Sequence, residues 1–273
     1  MAFNQLFNQL VQFEDMNDIQ RIQAIESILM AHGAKRIEKT SRGKKNLSNI
    51  FYLRQNVPYV FVVIINRDKG YYTWTLIDYS TYQELVVKQN QIFRAEQCHH
   101  IKKWSIQYGA ANVRVHNFVL PDAKAVDHQS GCKLINIKEM LRPCSPQENM
   151  KNVLRYCNVV KRNNSFYMKD PNTTAEDRIR LAQLGFTIKH LSKGDYIYSP
   201  RYNTLCECYT MINKFEQHFF GAFAFNPLMN FEYTWHALIL QKMLGCMSDL
   251  ELMEYNRSYW IRKRAEDAEY YML

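Results

Sequence analysis

Glycine and proline are scarce in this chain, nine and seven residues of 273, and no stretch is of low complexity. So little chain-breaking composition argues against a long linker or a disordered tail. Long hydrophobic runs are missing too. The longest are VFVVII (60–65) and FFGAFAF (219–225), far short of a bilayer span. The first basic residue is Arg21, so the charged region of a secretion signal is not expected. There is no Cys-x2-Cys pair, glycine-rich phosphate loop, dinucleotide fingerprint or Gly-x-Ser-x-Gly elbow, and no cofactor is expected. Seven scattered cysteines, an odd number, fit reduced thiols better than a disulfide framework. The expectation is a soluble, cytoplasmic protein. No motif is specific enough to assign a family.

Aromatic residues and positive charge are abundant. Eighteen tyrosines and fifteen phenylalanines suit a packed, strand-containing protein. The net charge of +9 is concentrated in two places. Residues 34–54 hold seven Lys/Arg against Glu38, and residues 151–201 hold ten Lys/Arg against four acids. Each segment carries a net +6, so the remainder of the chain is slightly acidic. Clustering of this kind is the electrostatic footprint of a polyanionic partner.

Hydrophobic periodicity implies an α+β fold. Met16, Ile19, Ile22, Ile25, Ile28 and Leu29 recur at helical spacing, with Asp15 or Asn17 as cap and Gly33 as stop. This N-terminal helix is expected to pack on an antiparallel meander of AKRIEKTS, NIFYLRQ, YVFVVIIN and YYTWTLIDY, with RDKG (67–70) as a hairpin turn. QELVVK reads as a further short strand, NVRVHNFVL as a strand, and 122–132 as a loop. A soft boundary near residue 144 separates a 1–144 domain from a second α+β unit, 145–273. Ser145, Pro146 and Glu148 form a capping box. From there the expected order is helix, hairpin turning at Asn163–Asn164, helix, hairpin turning at SKGD (192–195), then a helical C-terminal region.

Both basic segments fall on expected hairpins. The candidate nucleic-acid-binding residues are therefore Lys35, Arg36, Lys39, Arg42, Lys44, Lys45, Arg54, Lys161, Arg162, Lys169, Lys189 and Lys193. Exposed cations contact phosphates, and Phe166, Tyr167, Tyr196 and Tyr198 lie near them in sequence. The leading expectation is a DNA- or RNA-binding protein. A protein-interaction or inhibitor module recognising an acidic partner surface uses the same charges. A third class, metal-dependent nuclease, rests on Asp78, Glu84 and Lys88, although their spacing departs from the acid-x-Lys of restriction-type cores. Cys98, His99, His100, His128, Cys132, Cys144, Cys206 and Cys208 have no recognised metal spacing, and no metal is expected.

Overall fold

Helix α1 (Asp18–Ala31) begins where the Asn17 side chain accepts from the Gln20 N–H and the Gln20 side chain accepts from the Asn17 N–H. This reciprocal cap satisfies two donors that the helix leaves orphaned. Gly33 ends α1 with a φ of 82°, a left-handed turn that glycine accepts cheaply. A Cβ there would meet no heavy atom within 4 Å, so Gly33→Ala isolates the backbone term. It is expected to cost about 1–2 kcal/mol, read as a lower Tm; an unchanged Tm would show that the turn does not need glycine.

The computed structural model describes residues 16–41, 44–98, 103–129, 132–149, 158–162, 165–170, 182–183, 185–191, 194–204, 207–208 and 211. They fall into two compact units, one reaching Asn149 and one starting at Asn158. No helix among the described residues is long and apolar enough to cross a membrane.

The first unit is built on β1 (Lys35–Ser41), β2 (Lys44–Leu53), β3 (Tyr59–Asn66) and β4 (Tyr71–Asp78), an antiparallel meander in sequential order. The strand β3 has no polar alternation because both of its faces are covered, and its six central residues are all buried. On one face Tyr52, Phe61 and Trp74 pack ring to ring at 6.1 and 5.8 Å, and α1, which buries Ile22, Ile25 and Leu29, packs on β4. The other face carries Phe51, Val60, Val62, Ile64 and Ile77 into the main core. Asn49, fully buried in β2, fastens the next strand, β5 (Phe93–Cys98), to this sheet. Its side chain accepts from the Phe93 N–H at 2.6 Å and donates to the Phe93 carbonyl at 3.0 Å. β5 pairs with β6 (Lys103–Tyr108), and β6 with β7 (Val113–Arg114).

The expected fold plan needs correction. The described residues are strand-rich, with fourteen strands in four sheets, and α1 is the one described helix longer than six residues. The sheet that contains the meander is mixed, because β9 (Ile135–Asn136) joins β4 in parallel. QELVVK is a π-helical turn, Gln83–Lys88, continuing the short helix α2 (Tyr79–Tyr82). Leu85 and Val86 are adjacent and both join the one core cluster of Phe51 and Phe93, whereas a strand sends neighbouring side chains to opposite faces. NVRVHNFVL forms only two residues of strand before helix α3 (Val115–Val119). Val115, Phe118 and Val119, at helical i, i+3, i+4 spacing, all pack on the core. The expected loop contains β8 (Ala125–His128), which pairs with β10 (Leu141–Cys144).

The helix–hairpin–helix–hairpin order fails as well. The capping box at Ser145 is present, with Ser145 N–H to Glu148 Oε2 at 2.7 Å and Glu148 N–H to Ser145 Oγ at 3.2 Å. Its described helix, α4, is only Pro146–Asn149. The rest of that helix, most of the one expected at 173–184 and nearly all of the C-terminal helical region lie outside the described residues. The two hairpins are not separate elements. β11 (Asn158–Arg162), β12 (Ser165–Asp170), β13 (Thr187–Leu191) and β14 (Gly194–Tyr198) form one antiparallel sheet in the order β11-β12-β14-β13. Isolated hairpins are marginal, and joining β12 to β14 removes two open edges at once.

Candidate nucleic-acid interface

The basic run of the first unit is divided by strand geometry. Lys35 and Lys39 share one face of the edge strand β1, opposite Leu53 and Asn49, while Arg36 lies on the other face opposite Tyr52. Lys39 is committed within the fold: its Nζ donates to the Val86 carbonyl at 2.9 Å, and burial lowers its pKa. Lys35 and Arg36 are exposed. Lys35 and Arg54 line a cleft of about 850 Å³ with Asn56 and Tyr79. Lys44 and Lys45 begin β2, Lys44 opposite Ser41, and Arg42 lies outside the described residues. The three described cations of β1 therefore do not share one face.

Asp78, Glu84 and Lys88 do meet, around a second cleft of about 650 Å³ shared with Lys138 and Phe118. Both carboxylates have protein partners there. Asp78 Oδ2 accepts from the Lys138 N–H at 2.8 Å, and burial raises its pKa against that bond. Glu84 pairs with Lys88 at 2.8 Å and accepts from Gln89 at 3.2 Å, bonds that hold its carboxyl below the ordinary value. The two-strand arrangement behind the nuclease expectation is absent, since Glu84 and Lys88 lie one turn apart on a helical segment. Among the described residues no group of three or more His, Cys, Asp or Glu side chains is placed to hold a metal. Cys144 and Cys208 are outside any disulfide, and burial pushes the Cys208 thiol up to about 12.

His128 takes part in a different arrangement, which no sequence motif signalled. Asn136 Nδ2 donates to Thr75 Oγ1 at 3.0 Å and to the Lys133 carbonyl at 3.1 Å, which turns its Oδ1 toward His128 Nε2 at 3.2 Å. Thr75 Oγ1 donates onward to the Leu134 carbonyl at 2.6 Å. The His116 ring meets His128 edge to face at 5.1 Å. This buried chain ties β8 and β9 to β4.

The second unit brings cations together. Pairing of Arg162 with Ser165, Lys169 with both Asn158 and Tyr198, and Lys189 with Tyr196 puts these positions on one face of the four-stranded sheet. Tyr167, opposite Val160, and Thr187, opposite Tyr198, belong to the same face. Among the described strand positions this face holds Arg162, Lys169 and Lys189 and no carboxylate. The opposite face holds Lys161 and both aspartates, Asp170 and Asp195, with Val159, Phe166, Met168, Ile188 and Ile197. Lys193 lies outside the described residues. Gly194 is the first residue of β14, opposite Leu191, rather than a central residue of the turn.

The described side chains on this face are in contact. The Tyr167 and Tyr198 rings lie 5.8 Å apart at 36°. Lys189 Nζ sits 5.4 Å from the centre of the Tyr198 ring, and the Arg201 guanidinium 5.8 Å from that of Tyr167. Lys189, Thr187 and Arg201 are exposed, and both rings are half-buried. Period-2 alternation in SFYMKD and GDYIY was the signal that separates Tyr167 from Phe166, and Tyr196 and Tyr198 from Ile197. Arg201, beyond the strand, left no such signal.

Comparison with protein-family models, curated proteins and solved structures finds no match to this chain.

Proposed function

We propose that this is a cytoplasmic nucleic-acid-binding protein whose sheet of residues 158–198 contacts the phosphate backbone. The observation that supports the reading is the sorting of charge by register: among the described strand positions, three cations with no carboxylate on the tyrosine face, and both aspartates on the other. A phosphate strand needs cations without competing carboxylates, because affinity comes largely from counterion release. Lys35 and Arg54, at their cleft in the first unit, are a second set of phosphate contacts in this reading.

Binding of labelled oligonucleotides across a salt titration tests the proposal. Affinity should fall steeply with salt. Replacing Arg162, Lys169 and Lys189 together with alanine should weaken binding and shallow the log–log salt slope by about 0.7 for each phosphate of a single strand that is no longer neutralised. Absence of binding at low salt, or a slope unchanged in the triple variant, would remove this face from the site.

A further inference from the structure

We propose that the sheet face takes single-stranded nucleic acid, with neighbouring bases stacked on Tyr167 and Tyr198 and the adjoining phosphates on Lys189 and Arg201. This rests on the nucleic-acid reading above and names its substrate class.

Phosphate contact alone does not account for what stands at the centre of the face. The charged groups there are built around two aromatic rings on adjacent strands. At 5.8 Å and 36° the rings are tilted rather than stacked on one another, and in this proposal each takes a different base. Consecutive bases of a flexible single strand can adopt such a spacing and tilt. Bases in a duplex cannot, because their faces are already covered by their neighbours. A duplex lying on this sheet would bring only its phosphates, and the tyrosines would contribute nothing.

In the free protein each ring is accompanied by a cation, Lys189 over Tyr198 and Arg201 over Tyr167. Both cations are exposed, and an exposed cation–π contact is weaker than a stacked base. An incoming base therefore displaces the cation toward the ring's edge, where the phosphate joining the two nucleotides lies. Recognition by stacking is indifferent to base identity, since every base has a π-face. Broad sequence tolerance is expected.

The test uses the full chain and three probes of equal length: a single strand, its duplex, and an abasic strand that keeps the phosphates and lacks the bases. The single strand should bind at least tenfold more tightly than either of the others. Tyr167→Leu and Tyr198→Leu should each weaken single-strand binding about tenfold without changing the salt slope or abasic binding. Phenylalanine at either position keeps the ring and should restore affinity, which controls for a folding defect. Equal affinity for all three probes, with the leucine variants silent, would overturn the stacking proposal and leave phosphate binding standing. No binding to any probe would overturn both. The wild-type comparison of single-stranded and abasic probes decides the question even if a leucine variant fails to fold.

Discussion

Asp127→Ala should destabilise the first unit by about 3–5 kcal/mol, the largest effect expected of any single substitution considered for this protein. Asp127 on β8 stands directly opposite Arg142 on β10. The Arg142 Nε donates to its Oδ2 at 2.7 Å, with a second guanidinium nitrogen 2.6 Å from the same oxygen. The Asp127 side chain is 3% exposed and that of Arg142 19%, so solvent screens the pair poorly. Removing the carboxylate takes the opposite charge from a guanidinium that is largely withdrawn from solvent. The pair's net worth is a different quantity, because two desolvated charges repay much of their attraction in lost hydration. Asp127→Leu combined with Arg142→Met should therefore cost clearly less than Asp127→Ala alone. Urea unfolding of the single and double variants measures both values. A double variant as unstable as the single one would show that the β8–β10 ribbon depends on the attraction itself, not on avoiding an orphaned charge.

The second large effect is a loss of stability in mild acid. Burial brings the His128 pKa down to about 4, with the positive charge of Lys133 adding to the shift and the Asn136 bond opposing it. Burial, then His128, Arg114 and Lys133, bring His116 down to about 3. Both folded values lie below the ordinary 6.5 that applies to the unfolded chain. Above that value both states are neutral and the network is at full strength. Below it the unfolded chain takes up protons that the native state refuses, so stability falls with pH until the folded values are reached. The window is about pH 6.5 to 4, and His128 alone contributes on the order of 3 kcal/mol across it. His116 acts in the same direction. Thermal unfolding at pH 7.5, 6.0 and 4.5 should show Tm dropping through this range. His128→Gln should start from a lower Tm at pH 7.5 but lose less on acidification, which separates the imidazole from the carboxylates titrating nearby. A variant with the wild-type pH dependence would rule out His128 as the source.

Acid sensitivity and the ion pair both belong to a region that local pattern misread. Residues 112–120 are expected to be a strand and 122–132 a loop; the first holds the short β7 and then α3, and the second holds β8. Val113, Val115 and Val119 sit at odd positions that suit a strand, yet Val115, Phe118 and Val119 equally suit a helix face. What decides is the neighbouring surface: Tyr108 meets Phe118 edge to face at 5.9 Å, and Val115 is buried with Ile106 and Phe93. QELVVK is a similar case. Its β-branched pair suggests a strand, but the core around Phe51 and Phe93 takes both Leu85 and Val86. Short apolar segments satisfy two periods at once, and only the surface they bury chooses between them.

The sequence by itself determined whatever depends on near neighbours along the chain. The caps at Asn17 and Ser145, the glycine stop at Gly33, the turn at 67–70 and the strands of the meander are local chemistry, and all are present. The two concentrations of positive charge were equally plain. Which cations share a surface was settled only by tertiary structure. Lys35 and Arg36 are adjacent in sequence and lie on opposite faces of β1, and Lys39 is taken up by a carbonyl 47 residues away. Lys169 and Lys189, twenty positions apart, come to one face because β12 pairs with β14 at Lys169–Tyr198. A side chain's face follows from the parity of its strand, but its company follows from the register between strands, and register is fixed by contacts between residues distant in the chain.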